Sequence, residues 1–145
     1  MRRRFIVIAG IVLSAGSASA ADLQGRWHFD RLGVNGRYFG DLVIDRGGQA
    51  RLKGVSPTQH YSECGYAQVQ GERIEIVFTS VWSEGSYNAD HFYCRFTGGA
   101  LACSNRDVAG NGNPAIFTLV RQGAVPATPA ERLEDACPAG QSPRS

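Results

Sequence analysis

Apolar and polar residues alternate with a period of two along most of this chain. In Gln49-Ala50-Arg51-Leu52-Lys53 the odd positions are polar and the even ones apolar. Ile74, Ile76 and Phe78 share one face of the next such run, and Phe92, Cys94 and Phe96 oppose Tyr93 and Arg95 in another. Successive side chains on a strand point to opposite faces, so this pattern predicts antiparallel sheet with one buried and one wet face. Eight strands are predicted, near 24–30, 37–45, 49–55, 60–70, 73–82, 86–97, 100–106 and 115–121.

Their connections carry a second rhythm. Arg46-Gly47-Gly48, Gly71-Glu72 and Gly98-Gly99 are tight links, suited to hairpins because glycine reaches the positive φ that such turns require. The links 31–36, 56–59, 83–85 and 107–114 are longer, and the two kinds interleave. In an up-and-down arrangement the tight turns gather at one end and the long loops at the other. The expectation is an all-β fold, an eight-stranded antiparallel up-and-down barrel with a closed bottom and an open mouth. Such a shape favours a binding protein over an enzyme.

The ends change the picture. Arg2, Arg3 and Arg4, the apolar run Phe5–Leu13 and the small residues Ala18-Ser19-Ala20 read as a signal peptide over residues 1–20. The apolar run is shorter than the roughly 20 residues a span requires. No cysteine stands at the cleavage point to suggest a lipoprotein. Of 15 Lys+Arg and 13 Asp+Glu, three arginines leave with the leader, so the mature chain is slightly acidic. It has no basic stripe for nucleic acid. The barrel is expected over 21–122, as one domain, with a helix and tail over 123–145. Thr128-Pro129-Ala130-Glu131 resembles a capping box that starts a short helix running to Ala136. A periplasmic or secreted location follows, with no membrane span after processing.

All four cysteines lie in the exported part, where disulfides are permitted, and none forms a C-x-x-C motif. The Gly98-Gly99 turn sets Cys94 opposite Cys103 as a non-hydrogen-bonded pair, whose Cα atoms lie about 4.5 Å apart. That pairing is favoured over the two others that four cysteines allow. Cys64 has outward parity and Cys137 follows the predicted helix, so an outer helix could be stapled to the wall there.

Gly25-Arg26-Trp27 in the first strand resembles the G-x-W motif of lipocalins and the wider calycin group. Arg121 ends the last strand, where lipocalins carry a basic residue packed over that tryptophan. The resemblance implies that Gly25, Trp27 and Arg121 meet at the closed end. A helix after the last strand and a disulfide from the fourth strand to the C-terminal segment are also similar to lipocalin features. In size and export the chain is similar to bacterial barrel inhibitors of proteases and lysozyme.

Catalytic patterns are absent: there is no G-x-S-x-G, H-E-x-x-H, S-x-x-K or P-loop. Asp90 and His91 are strand neighbours that face opposite ways. His28, His60 and His91 read as solvated surface residues, and 107–113 lacks calcium-loop spacing. No metal or cofactor is expected. By parity the inward face includes Trp27, Phe29, Tyr38, Gly40, Gly54 and Gly65, and the small residues among them leave open whether aromatics fill the interior. Toward the mouth Tyr61, Ser80, Trp82, Asn88 and Asp90 turn inward. The expected function is binding of a small, partly apolar ligand through Phe29, Tyr38, Tyr61, Trp82, Asn88 and Asp90. The alternative is an inhibitor of an exported hydrolase acting through exposed loops; a third reading is an envelope interaction protein. Oligomeric state and ligand identity stay open.

Overall fold

The computed structural model describes residues 19–33, 35–111 and 116–123. A short helix, α1 (Ala20–Leu23), precedes eight strands: β1 (Gly25–Gly33), β2 (Gly36–Ile44), β3 (Gln49–Val55), β4 (His60–Gln70), β5 (Arg73–Ser83), β6 (Asp90–Thr97), β7 (Ala100–Asp107) and β8 (Phe117–Gly123). Each pairs antiparallel with the next, and β8 returns to β1, so the sheet closes in sequence order. Closure removes the exposed edges that an open sheet would leave for other chains. The expected C-terminal helix, the tail with Cys137, and most of the expected leader lie outside the described residues.

The turn at Gly98-Gly99 has φ of 58° and 86°, the pair of positive values a two-residue hairpin needs. It sets Thr97 opposite Ala100 and Cys94 opposite Cys103. Those two cysteines form a disulfide with Cα atoms 4.1 Å apart, both on the inner face. Cys64 is also disulfide-bonded. Among the described residues no helix is long and apolar enough to cross a membrane.

Two expected connections differ. β1 and β2 run on to Gly33 and Gly36, leaving only positions 34 and 35 between them, so 31–36 is a tight hairpin and not a long loop. Arg31 and Leu32 continue the alternation of β1. Conversely, residues 86–89 are not strand, and the irregular link before β6 covers 84–89.

At the closed end Trp27 lies opposite Arg121 across the seam. The guanidinium sits 4.2 Å from the centre of the indole ring. Arg121 donates to the carbonyls of Asp22 and Gln24, and the indole N–H of Trp27 donates to the carbonyl of Leu23 at 2.9 Å. These bonds tie α1 under the barrel, with Leu23 fully buried. A side chain at Gly25 would strike Arg121 Nη1.

Above this plug the interior is solid. Leu42, Leu52, Ile74, Ile76, Leu101 and Leu119 are completely covered, with no room for a water molecule against them. Next come Phe29, Phe78, Phe92 and Phe117, meeting edge to face at centroid distances of 5.1–6.5 Å. The small inward residues do not leave a void either. A Cβ on Gly54 would strike the hydroxyl end of the Tyr61 ring, and one on Gly65 would fall on the carbonyl of Val77. Adding bulk at Gly54 is therefore expected to overpack the site: Gly54→Val should cost about 1–3 kcal/mol in urea unfolding. A neutral or stabilising outcome would show instead that the space beside Tyr61 is open.

Candidate functional site at the barrel mouth

The inward alternation that carries Trp27 and Phe29 on β1 brings Arg31 inside at the mouth. On β4 the same alternation puts Tyr61 and Glu63 inside. β6 begins with Asp90 and β7 contributes Asn105 at inward positions. All five are buried, with Glu63 fully enclosed. The β5–β6 ladder stops at Val77 opposite His91, so the amide of Asp90 lies beyond it. That amide donates instead to Glu63 Oε1 at 2.7 Å, across the interior.

The Asp90 carboxylate is held from three sides. Asn105 donates to Oδ1, Tyr87 donates to Oδ2 at 3.0 Å, and Arg31 Nη2 stands 4.0 Å from Oδ2. The Arg31 guanidinium rests on the ring of Tyr38 at 4.6 Å and near that of Phe117 at 5.3 Å. Tyr61 and Tyr87 stack at 4.1 Å with planes 15° apart. Three enclosed atoms, Arg31 Nε, the Tyr61 hydroxyl and Glu63 Oε2, have no hydrogen-bond partner among the described residues.

Enclosure sets the electrostatics. Burial, and then repulsion from Asp90, pushes the Glu63 carboxyl well above the ordinary carboxylate range. Burial also raises Asp90, but there the Arg31 charge and the hydrogen bonds from Asn105 and Tyr87 oppose it. Arg31 opposes the rise at Glu63 as well, but more weakly than burial and Asp90 drive it, so of the two carboxyls Glu63 is held the higher. Burial and the Asp90 charge push the hydroxyls of Tyr61 and Tyr87 upward too.

Four of the six expected ligand residues therefore converge: Phe29, Tyr38, Tyr61 and Asp90 all lie in or beside this cluster. Their surfaces are spent on one another and on the core. The other two are elsewhere. A bulge pairs Gly65 with Phe78 but Cys64 with Ser80, leaving Thr79 as the extra residue. Beyond it the faces of β5 are exchanged: Val81 lies opposite inward Glu63, and Trp82 lies opposite Ser62 on the outer face. Ser80 turns outward with Trp82. Asn88 is exposed in the 84–89 loop and donates to Asp107 at 3.2 Å. Arg31, Glu63, Tyr87 and Asn105 were not expected at the site. For three of them inward parity was a signal available in the sequence.

The loops above the cluster are braced. Gln59 accepts from the amide of Gly85 and donates to the carbonyl of Ser86 at 2.8 Å. His60 and Glu84 pair at 3.1 Å, and the amide of Val108 donates to Ala89 at 3.0 Å. Asp107 closes the next loop on itself, accepting from the amides of Asn111 at 2.7 Å and Gly110 at 3.0 Å. Held at the tip of that turn, Val108 is 71% exposed. On the outer wall, His28 pairs with Asp41 and His91 with Glu75, each apart from the other. No group of three His, Cys, Asp or Glu converges as a metal cluster among the described residues.

Replacing Asp90 by alanine would take from Arg31 the carboxylate that stands 4.0 Å from it and strip Tyr87 and Asn105 of their acceptor. A loss of about 3–5 kcal/mol is expected in chemical denaturation, against under about 1 kcal/mol for an exposed rim change such as Asn88→Ala. Equal small losses at both positions would mean the cluster holds nothing together. No protein-family model, curated protein or solved structure matches this chain.

Proposed function

We propose that this is an exported binding protein, periplasmic or secreted, that engages a macromolecule with its mouth rim, as a proteinaceous inhibitor of a hydrolase does. One observation supports the reading: among the described residues the interior is filled from the closed end to the mouth, while the 107–111 loop is braced on itself and holds an apolar side chain outward. A small-ligand carrier needs space behind its mouth, and here Tyr61, Tyr87 and the enclosed charges take that space. A rim ordered before contact loses little conformational entropy on binding, which is what an inhibitor loop requires. Val108, whose amide is bonded to Ala89 and which follows Arg106 and Asp107, supplies an anchor that can enter a cleft beside a polar border.

The reading is tested by titrating the purified protein against a panel of exported serine proteases, metalloproteases and lysozymes and following residual rate. Inhibition of at least one at near-equimolar protein is expected, and Val108→Asp should weaken it by about tenfold or more. Inhibition of none, or inhibition indifferent to Val108→Asp, overturns the rim reading. A small molecule that travels with the protein from its own exported fraction, seen as extra mass in native mass spectrometry, would return the function to a carrier.

A further inference from the structure

We propose that Glu63 and Asp90 hold a single proton between them, and that this proton keeps the 84–89 loop ordered on the rim. The geometry begins with a count of enclosed charge. Among the described residues, Arg31 from β1 is the one cation inside the mouth, and Glu63 from β4 and Asp90 from β6 are two acids buried with it. With one proton on the pair, the remaining carboxylate balances Arg31. With none, a second negative charge is left where Glu63 Oε2 has no donor; with two, Arg31 is left unbalanced.

Among the described residues no other element supplies a compensating charge. β2 offers the ring of Tyr38, β3 offers Gly54, and β5 offers apolar Val81 opposite Glu63. β7 offers neutral Asn105, and β8 offers the ring of Phe117. Asp107 lies opposite Asp90 on β7 but spends its oxygens on Asn88 and on the amide of Asn111, at the rim. Tyr61 and Tyr87 keep their protons, since burial raises both.

The loop depends on this cluster at its two last anchor points. Tyr87 is fixed by its bond to Asp90 and its stack on Tyr61, and the amide that ends the loop is the one Glu63 accepts. If the loop opens, Glu63 meets water and ionises at its ordinary value. Below that value both forms are protonated and pH has no effect. Above it the open form gives up the proton first, so the closed form loses ground by about tenfold per pH unit until Glu63 ionises in place. Order of the loop is therefore retained on the acid side and lost as pH rises. The bearing of this on partner binding rests on the rim reading above, whereas the response of the loop itself does not.

The experiment is amide exchange of residues 84–90 in the whole protein between pH 5 and 8, expressed as protection relative to each amide's intrinsic rate. In the wild type, protection is expected to fall by about tenfold per pH unit over part of this range. Glu63→Gln keeps an acceptor for Asp90 and carries no charge, so its protection should stay level. The His60–Glu84 pair is present in both proteins, and the difference between them isolates Glu63. Parallel profiles, or level protection in the wild type, overturn the proposal. Should Glu63→Gln fail to fold, the carboxyl carbons of isotope-labelled wild type decide: a Glu63 signal titrating in the ordinary carboxylate range, near 4.3, refutes the shared proton, and one still protonated above about pH 6 upholds it. A sloping loop without any inhibited hydrolase would leave this inference standing and remove only the rim function.

Discussion

Closing eight strands into a ring fixes an interior that all eight must fill together, because each strand is held by a neighbour on both sides. Everything else in this molecule is arranged around that volume. Branched and leucine side chains take the lower half, four phenylalanines take the middle, and Trp27 under Arg121 seals the base. At the mouth the same rule admits charged groups only as a set. Arg31 is tolerable there because Asp90 faces it and two rings lie against it; Asp90 is tolerable because Arg31, Asn105 and Tyr87 surround it. The order of the rim loops is then a product of core packing, carried upward through Tyr87 and the Asp90 amide.

Much of this was legible in local alternation. Period two located eight strands, and the glycine pair at 98–99 was enough to count Cys94 onto Cys103. Trp27 and Arg121 could be placed at one end because an even number of antiparallel strands starts and finishes together. What escaped was either polar residues at inward positions or contacts between distant strands. Arg31 continues the parity of Phe29 yet reads as loop by its charge. Glu63 sits between Tyr61 and Gly65 at the same parity, and only its carboxylate hid it. Tyr87 lies in an irregular link with no period to follow.

Space was the least readable quantity. Glycines at 54 and 65 count as gaps when each strand is taken alone, yet Tyr61 and the backbone at Val77 fill them from neighbouring strands. Whether a small barrel is hollow depends on such pairwise fillings, which no single strand records. The distinction matters for function, since a void and a solid core assign the working surface to different parts of the same architecture.

The bulge at Thr79 bears on how such a chain can change over generations. Because Thr79 is the residue that β5 carries beyond its pairing with β4, deleting that one codon would let the ladder close up while Val81 stayed inside and Trp82 outside. The loops would keep their places. A lineage could lose or regain this residue without exchanging the two faces of the wall, so variation in the length of β5 among descendants belongs at this point before any other.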